Sequence, residues 1–388
     1  MEQLTSNSSF RALTVSEPGI FGVQEYEKPH PAPKDVLLKI EMTGVCGTDP
    51  HIIYDRKPIP WMTEKFYPFI PGHEFVARIE EMGQDFAKVD VEGKPLKVGD
   101  VVAVCVEDMD SAPCGKCYYC ATGFPVFCAN KEPRDYSILK KGWQRSWAEF
   151  RYTHGIEAIY KLSDDLPLEA AVLLEPLSIA ASAFGRASMG ASWLFQGMGP
   201  GKVVVIQGSG PIGVLLTAMS KICGAGKTIV VGAPDNRLAL CREFGADETI
   251  SIEKFPDPAT RIAAVKELTP FGQGADVVFE AAGVTGAFSE GIGMIRDKGT
   301  FVELGHFTDR GSEPVNPFLL CSKNVNLLGV YGGLPPDFLW AKRVMERYHR
   351  EIPFERIVTH KFGLDETEQA LKAMRKMESM KTVIIPSK

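Results

Sequence analysis

The 388-residue chain is long enough to bury the cores of two or three domains, and its formal net charge of −6 disfavours nucleic acid or an anionic membrane as the main partner. The N-terminal residues lack the basic start and apolar run of a secretion signal, and no stretch reaches the roughly 18 apolar residues of a membrane span. We therefore expect a cytoplasmic protein with no nucleic-acid or membrane partner, in which cysteines stay reduced.

The first ~150 residues consist of short Val- and Ile-rich runs broken by proline and glycine, such as DVLLKIEMTGVCG and FVARIEEMG. This texture predicts a small antiparallel β barrel. Within it, GVCGTDPH supplies Cys46, Thr48, Asp49 and His51, and PGHEF supplies His73 and Glu74. Taken singly, each of these residues has an ordinary structural explanation, such as a small buried cysteine or a hydrogen-bonded core histidine.

The segment 114–128 contains four cysteines separated by gaps of two, two and seven residues: Cys114, Cys117, Cys120 and Cys128. Four thiolates in one short loop complete a tetrahedral zinc site that has no open position, so the predicted role is structural. An iron–sulfur cluster and four unrelated thiols are the alternatives.

Glu175 lies in the apolar run AAVLLEPLS. A carboxylate among apolar neighbours is costly unless it is paired, bound to a metal or partly exposed. Cys46, His73 and Glu175 would make a three-ligand zinc site with a fourth position open to water or substrate.

From about residue 176 the chain alternates buried strands with amphipathic helical stretches, which predicts a parallel sheet covered on both faces by helices. The strand VVVIQ runs into a glycine-rich turn and a helix, and this turn comprises Gly208, Ser209, Gly210, Pro211, Ile212 and Gly213. A GxGxxG turn between a strand and a helix is typical of dinucleotide-binding sites; an ordinary strand-to-helix turn is the alternative.

The second strand of a dinucleotide-binding fold usually ends in an acidic residue that binds the adenosine ribose. This chain has Gly232 there, and Arg237 follows five residues later. Arg237 would either contact the coenzyme or lie solvated at the start of a helix. The choice between NAD and NADP therefore remains open.

In their order along the chain, these motifs resemble the zinc-dependent medium-chain dehydrogenase/reductase superfamily, which includes alcohol, sorbitol and threonine dehydrogenases. The resemblance implies an α/β fold in which a GroES-like β-rich catalytic domain contains an inserted Rossmann domain with a doubly wound parallel sheet. The expected boundaries are 1–176 and 331–388 for the catalytic domain and 177–330 for the Rossmann domain.

The resemblance also implies roles for individual residues. Cys46, His73 and Glu175 correspond to the catalytic zinc ligands, and Glu74 to a glutamate that approaches this zinc. Thr48 would take the substrate proton and His51 would pass it to solvent, while Asp49 would orient His73. The four clustered cysteines correspond to the structural zinc lobe, so two zinc ions per subunit are expected.

For the coenzyme, NAD or NADP, the resemblance adds Leu304, Gly305 and Lys381 to the glycine turn, Gly232 and Arg237. Lys381 stands where some members carry an arginine near the coenzyme pyrophosphate. The expected reaction is reversible oxidation of a secondary alcohol to a ketone by hydride transfer to NAD(P)+, in a homodimer or homotetramer. A polyol or amino-alcohol dehydrogenase, and a non-catalytic relative or zinc-containing binding protein, are the alternatives.

Two apolar segments are candidates for the substrate region. Tyr54, Trp61, Phe66 and Tyr67 predict an apolar pocket wall. The stretch 193–195 would line a substrate entrance or an oligomer contact, and core packing is the alternative.

Overall fold

The structure is a computed structural model that describes residues 9–55, 67–105, 111–112, 114–130, 132–133, 145–155, 157–188, 197–309 and 311–388. The chain divides into two compact units. The first unit comprises Met1–Glu175 and Phe354–Lys388, and the second comprises Pro176–Pro353.

The described strands are β1 Ser9–Glu17, β2 Ile20–Glu27, β3 Val36–Gly44, β4 Phe75–Met82, β5 Val101–Cys105, β6 Ser111–Ala112, β7 Glu132–Pro133, β8 Phe150–Thr153, β9 Ala158–Lys161, β10 Val203–Gln207, β11 Lys227–Gly232, β12 Glu248–Ser251, β13 Ala275–Glu280, β14 Ile295–Glu303, β15 Asn326–Gly329, β16 Val358–Phe362 and β17 Lys381–Ile384. The described α-helices are α1 Asp49–Tyr54, α2 Tyr118–Ala121, α3 Leu168–Ala171, α4 Leu174–Ser188, α5 Pro211–Ile222, α6 Asp235–Glu243, α7 Pro258–Glu267, α8 Ala287–Met294, α9 Pro317–Ser322, α10 Pro335–Tyr348 and α11 Thr367–Arg375.

The first unit is built on a seven-stranded sheet with the order β16-β17-β3-β4-β5-β9, in which β8 also pairs with β3. Apart from the parallel pair β16 and β17, its pairings are antiparallel. One apolar cluster under this sheet includes Val36, Leu38, Ile79 and Val104. Alternating Val and Ile residues therefore direct one face of β3, β4 and β5 into the core, as the sequence predicted.

The second unit contains a six-stranded parallel sheet with the order β12-β11-β10-β13-β14-β15. The strands β10 and β11 are buried along almost their whole length, because helices cover both faces of such a sheet. From β10 the chain adds β11 and β12 on one side, and it then crosses to the other side of β10 to add β13, β14 and β15. This is the doubly wound order of a Rossmann domain, and it confirms the predicted fold.

The second unit extends further along the chain than the expected boundary at residue 330. It ends at Pro353 because the segment after β15 packs on α4, which lies mostly in the same unit. The backbone of Gly333 lies against Ser178, and the ring of Trp340 lies over Gly185. Within the described ranges, no helix is both long and apolar enough to cross a membrane.

Candidate active site

The pairing of β3 with β4 brings together the two segments that carry the candidate metal ligands, one directly after β3 and one directly before β4. Thr43 lies opposite Phe75, and the backbone N–H of Gly44 donates a hydrogen bond to the carbonyl oxygen of Glu74 at 2.7 Å. Cys46 follows this point by two residues and His73 precedes Glu74 directly, so the register alone makes the two segments neighbours. A side chain at Gly44 would collide with the carboxylate of Glu74.

The structure brings the ligating atoms of Cys46, His73 and Glu74 within 4.8 Å of one another. Glu175, expected as the third ligand, is not in this group, although its charge contributes to raising the pKa of His73. The β3–β4 register fixes the carboxylate of Glu74 next to Cys46. From the family resemblance, Glu74 is expected only to approach the zinc.

The electrostatics of this cluster favour a bound positive charge. Burial lowers the pKa of His73, but Cys46, Asp49 and Glu175 raise it more strongly, to about 10. Burial raises the pKa of Glu175 to about 7. A metal cation held by these groups would take the place of the proton on His73 and balance the neighbouring negative charges.

Asp49 supports two of the candidate ligands. Its Oδ2 accepts a hydrogen bond from the backbone N–H of Cys46 at 2.7 Å, and its Oδ1 lies 3.8 Å from Nδ1 of His73. The side chain is only 1% exposed, and burial raises its pKa. Asp49 therefore lies beside His73, as predicted from the family resemblance. It also holds the backbone of Cys46 in place.

Lys381 lies next to Glu74, a contact that the sequence did not predict. Its strand β17 pairs with β3, and its ammonium group contacts the Glu74 carboxylate. A buried lysine needs a counter-charge, and Glu74 provides one. The expected contact with a coenzyme pyrophosphate stays a prediction.

The two proposed proton-transfer residues lie at the start of α1. The hydroxyl of Thr48 is 3.5 Å from Sγ of Cys46, and it is nearly buried. His51 lies one helical turn further along and is partly exposed, with its Nδ1 3.0 Å from Oδ2 of Asp55. Thr48 is thus close to the metal ligands, whereas His51 reaches solvent.

The four clustered cysteines form a second group of ligating atoms, all within 4.8 Å of one another. The sulfur of Cys117 lies 3.5 Å from that of Cys120 and 3.7 Å from that of Cys128. Four sulfurs at about 2.3 Å from a tetrahedral zinc ion are about 3.8 Å apart, so these spacings fit zinc. Hydrogen bonds from the backbone N–H groups of Cys120 and Ala129 lower the pKa of Cys117 to about 6.

The glycine-rich turn of the second unit connects β10 to α5, at the place where the strand order of the sheet changes side. Gly210 precedes the first residue of α5, and a side chain at Gly213 would collide with the carbonyl oxygen of Gly208. The helix start therefore packs directly on the strand end, leaving the free N–H groups of the first turn for a phosphate.

Gly232 ends β11, and a Cβ atom there would lie 2.6 Å from Oγ and 2.8 Å from Cβ of Ser209. Ser209 itself donates a hydrogen bond to the carbonyl oxygen of Ala233 at 2.8 Å. The serine in the glycine turn thus occupies the space that an acidic residue at position 232 would need.

Arg237 is half-buried, and burial lowers its pKa. Asp235, the acid nearest to Gly232 in sequence, forms an ion pair with Lys254 at 2.6 Å. Lys254 is a second basic residue in this region, and the sequence analysis missed it because it lies after β12, far along the chain. Leu304 and Gly305 directly follow β14 at the carboxyl edge of the same sheet.

Tyr54 and Tyr67 pack against the apolar core of the first unit. The Tyr54 ring contacts Phe21 edge to face, and the Tyr67 hydroxyl donates to the carbonyl oxygen of Ile52 at 3.4 Å. Trp61, Phe66 and the stretch 193–195 lie outside the described residues.

The donor set of the first cluster fits zinc. Zinc is commonly bound by thiolate, imidazole and carboxylate ligands, and this cluster offers one of each. Beside His73, the buried Oδ1 of Asp49 makes no hydrogen bond in the described part of the chain.

Comparison with known proteins agrees with this geometry. Residues 32–163 match the alcohol dehydrogenase GroES-like domain, and residues 211–347 match the zinc-binding dehydrogenase domain. The chain is 30% identical over 373 residues to 5-exo-hydroxycamphor dehydrogenase of Pseudomonas putida, covering 93% of this chain and 95% of the relative. It is 28% identical to D-arabinitol dehydrogenase 1 of Uromyces fabae, covering 100% of both chains.

Among solved structures, an alcohol dehydrogenase from Thermotoga maritima superimposes with a TM-score of 0.83 at 26% identity, covering 97% of this chain and 99% of that one. Ligand clusters, sheet order and these matches lead to one conclusion: the chain belongs to the zinc-dependent medium-chain dehydrogenase/reductase superfamily.

Proposed function

We propose that this zinc- and NAD(P)-dependent alcohol dehydrogenase oxidises a secondary alcohol with an apolar skeleton to its ketone, and that Cys46, His73 and Glu74 hold the catalytic zinc. The convergence of these three ligating atoms within 4.8 Å, beside the hydroxyl of Thr48, is the observation that carries the proposal. Glu175 is close enough to influence the charge of His73, so it is the candidate for a fourth ligand.

A zinc ion held by this cluster would supply a Lewis acid for the alcohol oxygen, and NAD(P)+ would accept the hydride. Side chains of the protein transfer the proton of the alcohol hydroxyl. Thr48 accepts it from the alcohol hydroxyl, and His51, which is partly exposed, passes it to solvent. Asp49 keeps Cys46 and His73 in position throughout.

The coenzyme proposal rests on the second unit. The turn 208–213 binds the pyrophosphate at the start of α5, and Leu304 and Gly305 contribute backbone at the sheet edge. With glycine at position 232, no carboxylate at that position repels a 2′-phosphate, and Arg237 is a basic side chain in the same region, where Lys254 is paired with Asp235. We propose that both NAD and NADP are used.

A polyol is the second candidate substrate, and two observations favour it. Glu175 stands where classical alcohol dehydrogenases carry a cysteine, and the chain aligns over its whole length with a D-arabinitol dehydrogenase. The hydroxycamphor dehydrogenase supports the apolar alternative, because hydroxycamphor is a cyclic secondary alcohol with an apolar skeleton.

The four-cysteine loop has a separate role in this proposal. It holds a structural zinc ion, since four thiolates leave no coordination position for substrate. We further propose a cytoplasmic homodimer or homotetramer. Exposed apolar side chains at the edge strand β15, including Leu327, and on α9, including Phe318, support self-association.

An activity panel tests the substrate proposal. Cyclohexanol, sorbitol and L-threonine would be compared at equal concentration, each with NAD and with NADP, by following absorbance of the reduced coenzyme. We expect the highest kcat/KM with cyclohexanol. A higher value with sorbitol would establish the polyol alternative, and turnover that survives the Cys46→Ser substitution would contradict the proposed metal ligands.

A further inference from the structure

The carboxyl edge of the parallel sheet in the second unit carries two glutamates on adjacent strands. Glu280 is the last residue of β13 and Glu303 the last residue of β14, and the two lie directly opposite each other in the strand register. Side chains at register-paired positions point to the same face of a sheet. Two carboxylates are therefore forced together at this edge, well away in sequence from the cysteines of either zinc cluster.

His306 follows β14 and completes the group. Its Nδ1 lies 3.1 Å from Oε1 of Glu303 and 3.4 Å from Oε2 of Glu280. One ligating atom from each of the three residues lies within 4.8 Å of the other two. The 3.1 Å contact is a hydrogen bond. Ligands at about 2.1 Å from one metal ion are about 3.0–3.4 Å apart, so both separations are also compatible with ligation of a single ion.

The hydrogen bonds of Glu280 leave one of its oxygens for a ligand. Oε1 accepts hydrogen bonds from the backbone N–H groups of Ala282 at 2.7 Å and Gly283 at 2.9 Å. Oε2 is fully buried, lies 3.4 Å from Nδ1 of His306 and accepts no backbone N–H within the described residues, and the Glu280 and Glu303 carboxyl groups are close enough to share a proton. A side chain at Gly305 would collide with Oε2, so the backbone leaves space for this oxygen.

The two carboxylate oxygens of Glu303 also differ in their hydrogen-bond partners. Its Oε1 accepts a hydrogen bond from the backbone N–H of His306 at 3.2 Å, whereas its Oε2 is buried without a hydrogen-bond partner in the described part of the chain. Two buried carboxylate oxygens thus meet in one place, where a shared proton or a bound cation would satisfy both. Buried polar atoms are normally satisfied, and such exceptions require an explanation.

The charges at this site also call for a cation. Burial raises the pKa of Glu280 to about 7, and the charge of Glu303 acts in the same direction. Burial lowers the pKa of His306, but Glu303, Glu280 and Glu313 raise it more. The protonated imidazole of His306 balances part of the charge of the two carboxylates, and a divalent ion bound here would take the place of that proton.

We propose that Glu280, Glu303 and His306 form a third metal site, which binds one divalent transition-metal ion such as Zn²⁺, Co²⁺ or Mn²⁺. Two oxygens and one imidazole nitrogen without any thiolate suit these ions, and they leave coordination positions for water. The site lies within the second unit and uses no residue of the two zinc clusters. It does not depend on the proposed substrate or on the proposed proton transfer.

Cobalt titration of the full-length chain tests the site. The chain is first dialysed against metal-free buffer, so that zinc remains only in the two cysteine-containing clusters. We would follow Co²⁺ binding by visible absorbance and count bound metal by mass spectrometry after equilibrium dialysis. The variants are Glu303→Gln and His306→Ala, which leave the fully buried Glu280 intact. Glu267→Gln, an exposed glutamate at the end of α7, is the matched control for loss of one negative charge.

We expect the wild-type chain and Glu267→Gln to bind one Co²⁺ beyond the two zinc ions, with weak visible bands and no cobalt–thiolate charge-transfer band. Glu303→Gln and His306→Ala should weaken this binding at least about tenfold, because each removes a direct ligand. The proposal is overturned if no additional Co²⁺ binds, if both variants bind it as tightly as wild type, or if a thiolate band shows that cobalt has entered a cysteine cluster. Should Glu303→Gln fail to fold, His306→Ala alone decides the outcome.

Discussion

The ammonium group of Lys381 contacts the carboxylate of Glu74, and only 4% and 3% of these two side chains are exposed. The pair joins β17 to the residue before β4, and it places a permanent positive charge beside a candidate metal ligand. Burial lowers the pKa of Lys381, but Glu74 and Cys46 raise it more strongly. Lys381 is therefore charged at neutral pH and compensates Glu74.

Removal of Lys381 should leave an uncompensated buried carboxylate. We expect Lys381→Met to lower the free energy of unfolding of the zinc-free chain by about 3–5 kcal/mol. The double variant Glu74→Gln/Lys381→Met should recover most of this loss, because both charges are then absent. Denaturant unfolding measures both effects.

Lys388→Met is the matched control, since Lys388 pairs with Glu366 at 3.3 Å and is 54% exposed. Its loss should lower the free energy of unfolding far less than the loss of Lys381, because solvent screens an exposed ion pair. Equal effects of Lys381→Met and Lys388→Met would show that the buried pair does not stabilise the first unit.

The two cysteine-containing clusters should respond differently to substitution. As isolated in metal-free buffer, the chain should carry two zinc ions. Cys46→Ser should lose one ion and nearly all turnover while keeping most of its stability. Cys117→Ser should lose the other ion and unfold at a lower temperature. Metal analysis and thermal unfolding measure these outcomes.

Cys321→Ser, an exposed cysteine outside both clusters, should change neither metal content nor turnover. Fully active wild-type enzyme that carries a single zinc ion would contradict the assignment of two separate zinc sites.

Proton transfer through His51 should be visible in the pH dependence of alcohol oxidation. His51→Gln should depress kcat near neutral pH, and turnover should recover at higher pH as hydroxide takes over the role of the imidazole. Asp55→Asn removes the acceptor of the 3.0 Å contact and should cause a smaller effect in the same pH range. A pH–rate profile of His51→Gln that matches wild type would remove His51 from the reaction.

Coenzyme preference should depend on Ser209 and Gly232 together. Gly232→Asp alone should weaken binding of both coenzymes, because its Cβ would lie 2.8 Å from Cβ of Ser209. In Ser209→Gly/Gly232→Asp the collision is relieved, and the new carboxylate can bind the ribose hydroxyls of NAD. A charge-assisted hydrogen bond of about 1.5–3 kcal/mol should shift the ratio of kcat/KM toward NAD by about one to two decades.

The single variant Ser209→Gly is the control for the double variant, since it removes the hydroxyl without adding a charge. If Gly232→Asp alone shifts the preference as far as the double variant does, Ser209 does not restrict this position.

Self-association should depend on the exposed edge of the parallel sheet. Leu327 in β15 is 46% exposed, and a lysine there places a charge on the edge strand. We expect Leu327→Lys to lower the oligomeric state measured by light scattering, because charges at sheet edges oppose strand pairing between chains. Val98→Lys, at a 58% exposed position in the first unit, should leave it unchanged. An unchanged mass for Leu327→Lys would place the contact elsewhere.

Local sequence patterns were sufficient to predict the two types of sheet and the glycine turn. Continuous apolar strands such as 203–207 need helices on both faces, and Gly213 is required wherever a helix start packs on the preceding strand. The spacing of the four cysteines likewise predicted their cluster, since four thiols in one short segment are typical of a structural zinc site.

Only the tertiary structure decided which carboxylates meet which partners. Glu74 lies with Cys46 and His73 because the register of β3 against β4 sets that distance. Glu280 faces Glu303 because two parallel strands end at the same level, although the two residues are 23 positions apart in the chain. Local periodicity determines which face of a strand is buried, but strand register and packing determine the distance between two side chains. The residue types of a site can therefore be read along the chain, whereas its ligand set depends on contacts that form only in the folded protein.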